Sequence, residues 1–271
     1  MPVDSINLTA SARATLVTQQ SLASTAVRHG QTLSSGKKVG RVTDDALAFY
    51  AARALTERSS DLSAVKDSVG QGISTISAAQ AGADGVNALV DQLKGIATAA
   101  LATDNTTERA SLAGQYNQLR GQLDGLAADS GYNGVNLLSA SSSALTVSFG
   151  ASTDDSLTVT PRDASASSLG IAAIAADGSD FSAATLAQLD GATATVNSIQ
   201  ASLGSNISAL SVRAEAAQSQ ANIAAEGAGQ LTEANLNEEA AGLLATQTRQ
   251  HLARVGQSVS QQGQSALLTL F

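Results

Sequence analysis

A seven-residue apolar repeat from Leu55 to Ala100 constrains this chain more than any other feature. Leu55, Leu62, Val69, Ile76, Ala83, Val90 and Ala97 fall on one position of the count; Val65, Gly72, Ala79, Val86, Leu93 and Ala100 fall on a second, three residues later. Such a repeat means one long helix with a continuous seam that must pack on other helices. At 1.5 Å per residue it would span roughly 70 Å. The seam is lean in large residues, and Gly70, Gly72, Gly82 and Gly85 weaken the isolated helix, each by up to about 1 kcal/mol against Ala. The helix therefore needs partners.

The chain supplies them. After a turn at Thr103–Thr107, Leu112, Tyr116, Leu119, Leu123 and Leu126 keep a 4-3-4-3 spacing. A short loop between two long helices makes them antiparallel neighbours. Gly131-Tyr132-Asn133-Gly134 closes that hairpin. A third helix is predicted from Leu189, Val196, Leu203, Leu210, Ala217 and Ala224, with Ala192 and Ile199 on its second seam position. Between them the pattern changes: Leu145, Val147 and Phe149 alternate with polar residues, as do Leu157 and Val159, which predicts a β-hairpin turning at Ser152–Asp155. Ser165–Asp180 reads as loop punctuated by Gly170 and Gly178.

The two ends carry weaker helical patterns. Leu8, Ala12, Leu16, Ala23, Ala26 and Leu33 mark the first; from Leu236 onward Leu252, Val255, Val259, Ala266 and Leu270 mark the last. These two sets are expected to face each other within a subunit and across neighbours, ordered when docked and largely disordered when free. The fold class is then mainly α: a long antiparallel helical bundle or coiled-coil rod with a small β-hairpin insert, both termini helical and paired. Its expected parts are 1–43 (first end helix), 44–138 (long and second helices), 139–182 (hairpin and loop), 183–232 (return helix) and 233–271 (last end helix). The expected core seam is Leu55, Leu62, Val69, Ile76, Val90, Leu93, Leu189, Val196, Leu203 and Leu210.

Composition narrows function. Seven aromatic residues, no Trp and no Cys leave burial to many small Ala, Leu and Val contacts, and remove disulfides and thiolate chemistry. Net charge is −8, but residues 1–43 carry +4, 240–271 carry +2 and the middle carries −14. An acidic body repels nucleic acid and anionic membrane. No apolar run approaches the ~20 residues that span a bilayer. Met1–Ala10 carries Asp4 and no basic cluster, unlike a cleaved secretory signal.

No catalytic constellation emerges. His29 and His251 are far apart in sequence, and no His-Glu-x-x-His or Gly-x-Ser-x-Gly pattern occurs. Adjacent Glu238 and Glu239 point about 100° apart on a helix, so they charge the last helix's first turn better than they form an acid–base pair. Thr43-Asp44-Asp45 reads as the N-cap of the long helix, and its carboxylates could also meet basic groups of a neighbouring subunit. No catalytic residue, metal ligand or cofactor is expected.

Several segments, in order, resemble bacterial flagellin over almost the whole chain. Leu33-Ser34-Ser35-Gly36-Lys37-Lys38 with Asp44-Asp45-Ala46 is similar to the family's N-terminal signature. Tyr132-Asn133-Gly134-Val135-Asn136-Leu137-Leu138 resembles the close of its second core helix, Leu145–Gly150 and Leu157–Thr160 its hairpin, and Glu238-Glu239-Ala240-Ala241 with Gly256, Ser258, Val259 and Gln262 its C-terminal module. The motif residues carried over are Ser35, Gly36, Lys37, Asp44, Asp45, Asn133, Gly134, Glu238 and Glu239. The resemblance implies a short flagellin, made of core without variable outer domains. It implies a structural, non-enzymatic subunit that self-polymerises into the extracellular flagellar filament and serves motility. Implied partners are further copies of itself, the flagellar export apparatus and an export chaperone, and the filament cap and hook-junction proteins, with export that removes no signal peptide. A hook–filament junction protein and a coiled-coil signalling rod are the alternatives.

Overall fold

The computed structural model describes residues 10–150 and 155–268, with side chains for 13–150 and 155–263. Its elements are α1 (Ala10–Ser35), α2 (Ala46–Ala102), α3 (Thr106–Asp129), β1 (Leu145–Ser148), β2 (Ser156–Val159), α4 (Ala183–Thr232) and α5 (Leu236–Leu268). The fold is mainly α with one small antiparallel hairpin. By contact the chain divides into Met1–Arg58 with Ile223–Phe271, and Ser59–Asn222. Those limits fall inside α2 and α4.

In the unit of residues 59–222 the heptads of α2 and α4 are the core. Val69, Ile76, Val90, Leu93, Leu189, Val196, Leu203 and Leu210 are all buried, together with Ala79, Ala83, Val86, Ala97, Ala192 and Ile199, while Leu62 is half-buried. α3 adds Ala113, Tyr116 and Leu123. Its start is capped by Asn105, whose side chain accepts from the backbone N–H groups of Thr107 and Glu108 at 3.0 and 3.3 Å.

Two glycines of α2 sit where a side chain would collide. A Cβ on Gly72 would lie 2.5 Å from Val147 Cγ2, and one on Gly82 would lie 2.0 Å from Ser130 Oγ. Their cost to helix propensity is thus the condition for seating the hairpin and the α3 exit against α2. The hairpin pairs Leu145 with Val159 and Val147 with Leu157, which buries Val147 and Val159. Its expected turn at 152–155 lies outside the described residues except for Asp155. The Tyr132–Val135 turn is closed by backbone bonds in both directions, at 2.9 and 3.0 Å, with Asn133 at φ 48° and Gly134 at φ 80°. Positive φ at both central positions is what Asn-Gly accepts.

Residues 163–181 depart from the sequence reading. Ala164, Ala166, Leu169, Ile171, Ile174 and Phe181 are buried, so this irregular segment is a core-covering strap. α3 holds it by side chain to backbone: Arg120 Nε donates to Ile171 O (2.9 Å), Asn117 both donates to Ile174 O (2.7 Å) and accepts from Ile174 N (3.0 Å), and Asp124 accepts from Ala166 N (2.7 Å). Asp163, accepting from Ser168 Oγ and Ser165 N, is held below the usual carboxylate range by those bonds.

Candidate assembly interface

The other unit is built on α1 and α5, which pack on each other. α1 ends at Ser35, and Gly36 leaves the helix at φ 71°. The chain then pairs with the segment before α5: Lys38 N donates to Thr232 O and Ala234 N donates to Gly36 O, at 2.8 and 2.9 Å, while Lys37 lies opposite Glu233. Lys38 Nζ donates to Gln230 O at 2.8 Å. Ser35 Oγ accepts from Lys37 N, and Val39 is buried beside this ladder. Asp44 accepts from the backbone N–H groups of Gly40 and Arg41, and Asp45 caps α2 by accepting from Ala48 N at 3.0 Å. Both aspartates therefore serve their own backbone. At the start of α5, Asn235 accepts from Asn237 N and Glu238 N; Glu238 is exposed.

The helix-to-helix seam is polar and small. On α1 the half-buried positions include Thr15, Gln19, Leu22, Ala26, His29 and Leu33, a 4-3-4-3-4 spacing. On α5 they are Glu239, Leu243, Gln250, Ala253 and Gln257, with buried Thr246 completing the same spacing and Gly242 beside them. Side-chain pairs cross the seam at His29 and at Gln19. His29 Nδ1 hydrogen-bonds to the Glu239 carboxylate, with both side chains about three-quarters buried. Gln19 Nε2 donates to Gln257 Oε1 at 2.7 Å.

The large apolar residues point the other way. Val17, Val27, Leu244, Leu252, Val255 and Val259 leave more than half their surface exposed, and Leu16 nearly half. This corrects the expected pairing within a subunit: Leu16 and Ala23 lie outside the α1 seam, and Leu252, Val255 and Val259 outside that of α5, while Ala26 and Leu33 are in it. On α1 the inner stripe keeps Ala26 and Leu33 of the expected set and is completed by Thr15, Gln19, Leu22 and His29. Leu8 and Leu270 lie outside the described residues, as do the side chains of Ala12 and Ala266. Leu55 is half-buried, in contact range of Gly227. Asn133 and Gly134 belong to the other unit, where Tyr132 OH donates to Gln71 Oε1 at 3.3 Å.

Among the described residues there is no group of three or more His, Asp or Glu that could hold a metal, and no helix is long and apolar enough to cross a membrane. Paired terminal helices that leave large apolar residues on their outer faces define a class: structural proteins that assemble with copies of themselves.

The comparisons specify which. Residues 5–143 match the bacterial flagellin N-terminal helical region. Flagellin FljM and flagellin FljK of Caulobacter vibrioides are each 30% identical over the whole of both chains. Flagellin A of Rhizobium meliloti is 30% identical over 48% of this chain and 32% of its own. A crystal structure of Bacillus cereus flagellin is 21% identical, with a TM-score of 0.49 over 55% of this chain and 88% of that one. The chain belongs to the bacterial flagellin family. It is a structural subunit of the flagellar filament, outside the cell, and serves motility.

Proposed function

We propose that α1 and α5 are the device by which this subunit polymerises, and that they complete their folding only in the filament. The observation that carries this reading is the outward apolar stripe of Leu16, Val17, Val27, Leu244, Leu252, Val255 and Val259. A stripe of that length is buried on neighbouring copies in a polymer and wet in a monomer. The inner seam, mostly Thr, Gln, Ala and Gly, buries little apolar area to offset ordering at roughly 1–2 kcal/mol per residue. Neighbouring subunits add what is missing, so ordering and association are coupled.

The same stripe gives an export chaperone a surface to cover before assembly, and the filament cap and hook-junction proteins a surface to match at either end. Export by the flagellar apparatus, with no signal peptide removed, and the absence of enzymatic activity belong to the same reading. Val259→Asp tests it. Val259 is exposed, so the change leaves the monomer's circular dichroism and its proteolytic core unaltered, while a charge enters every subunit contact at a cost of several kcal/mol. Seeded growth followed by light scattering should stop. Growth at the native rate would remove the terminal helices as the assembly device.

A further inference from the structure

Two helices left to the hydrophobic effect turn their largest apolar stripes towards each other, since the driving force follows the area removed from water. α1 and α5 do not. They turn inward a face that mixes Leu22, Leu33 and Leu243 with Thr, Gln and His, and leave Val17, Val27, Leu244, Leu252, Val255 and Val259 outward. We infer that His29 with Glu239, and Gln19 with Gln257, are orientation keys: they fix which face of each terminal helix turns inward, and so reserve the larger apolar stripe for neighbouring subunits.

The fit at His29 is specific. Its ring lies over Gly242, where an added Cβ would sit 3.0 Å from Cε1, and its Nδ1 meets Glu239 less than one turn away. Rotating α5 from this face would bring a side chain against the ring and strip the half-buried carboxylate of its partner. An unpartnered polar group out of water is costly, and the choice of one arrangement among several is the best-attested role of such pairs. Gln19 and Gln257 repeat the device nearer the chain ends. The backbone bonds at Gly36, Lys38 and Ala234 fix where α1 ends and α5 begins, about a heptad from His29, and leave the facing of the earlier turns of α1 to side chains. Gln19 and His29 are thus positioning residues whose effect on assembly runs through the outward stripe.

This inference rests on the proposed assembly role, and its test separates the two. The chain has no cysteine, so Val27→Cys with Leu244→Cys places one thiol on each outward stripe, near the level of His29 and Gly242. With the native seam, oxidation of filaments grown from this full-length subunit should give no disulfide within one chain. Adding His29→Ala and Gln19→Ala should let the stripes turn inward: the intrachain disulfide forms. In cysteine-free chains the same two alanines should slow seeded growth about tenfold, the scale of one lost net hydrogen bond. His29→Gln, which can still donate to Glu239, should keep native growth and no intrachain disulfide. Native growth of the alanine variant, or slow growth without the disulfide, would overturn the keys. The disulfide is read in the filaments that form, fast or slow, whereas the assembly role itself stands or falls with Val259→Asp.

Discussion

At the scale of single residues, the glycines of α2 separate two roles that a propensity scale merges. Gly72 is buried against Val147 and Leu210, and a methyl group there would press to 2.5 Å from Val147 Cγ2. Gly70, one step away on the same helix, is exposed with nothing within 4 Å. Gly72→Ala is therefore expected to destabilise by about 1–3 kcal/mol through overpacking, despite better helix propensity. Gly70→Ala should stabilise by up to about 1 kcal/mol. Urea unfolding of the two variants with unchanged slope checks both; two shifts of the same sign would mean that hairpin seating is not what keeps glycine at 72. The seam positions of α2 and α4 were readable from sequence because heptad spacing reports burial directly. His29 was not. A lone histidine carries no periodic signal, and its partner Glu239 lies 210 residues away. The one available clue was that His29 falls seven residues after Leu22 and four before Leu33.

At the scale of elements, long helices and the hairpin register were legible, because apolar residues recur at 7 and at 2. Within the strap over residues 163–181, Ser165–Asp180 was read as plain loop for want of either period. Its burial follows from long-range side-chain to backbone bonds, which leave no mark in local sequence. Asn117 is the clearest: it satisfies both the N–H and the C=O of buried Ile174. Asn117→Ala would leave two backbone groups without partners, at about 1–3 kcal/mol each where water cannot replace them. The expected outcome is a loss of about 2 kcal/mol in urea unfolding and faster protease cutting within 163–181, with helicity unchanged. Unaltered cutting would mean the strap is held by its apolar residues alone. The terminal helices show the converse limit. Their existence was legible, but their facing was not, because half-buried polar positions such as Thr15, Gln19 and Gln257 carry no apolar signal.

At the scale of the whole molecule, charge and apolar surface are divided between the two units. Residues 59–222 hold fifteen carboxylates against six basic side chains, while the rest of the chain holds eight against nine. A polymer brings many copies of the acidic unit close together, and their mutual repulsion opposes growth. The outward stripe of α1 and α5 supplies attraction that monovalent salt leaves nearly untouched at moderate concentration. The repulsion falls as the Debye length shrinks from about 30 Å at 0.01 M to about 8 Å at 0.15 M ionic strength. Seeded growth should therefore accelerate across that range of sodium chloride, by several-fold, with the subunit's circular dichroism unchanged. The acceleration should shrink in a variant that neutralises exposed carboxylates such as Asp61, Asp67 and Asp91 to Asn, because less repulsion remains to be screened. Growth that slows as salt rises would instead mean that ion pairs between unlike surfaces hold the subunits together, with the apolar stripe secondary.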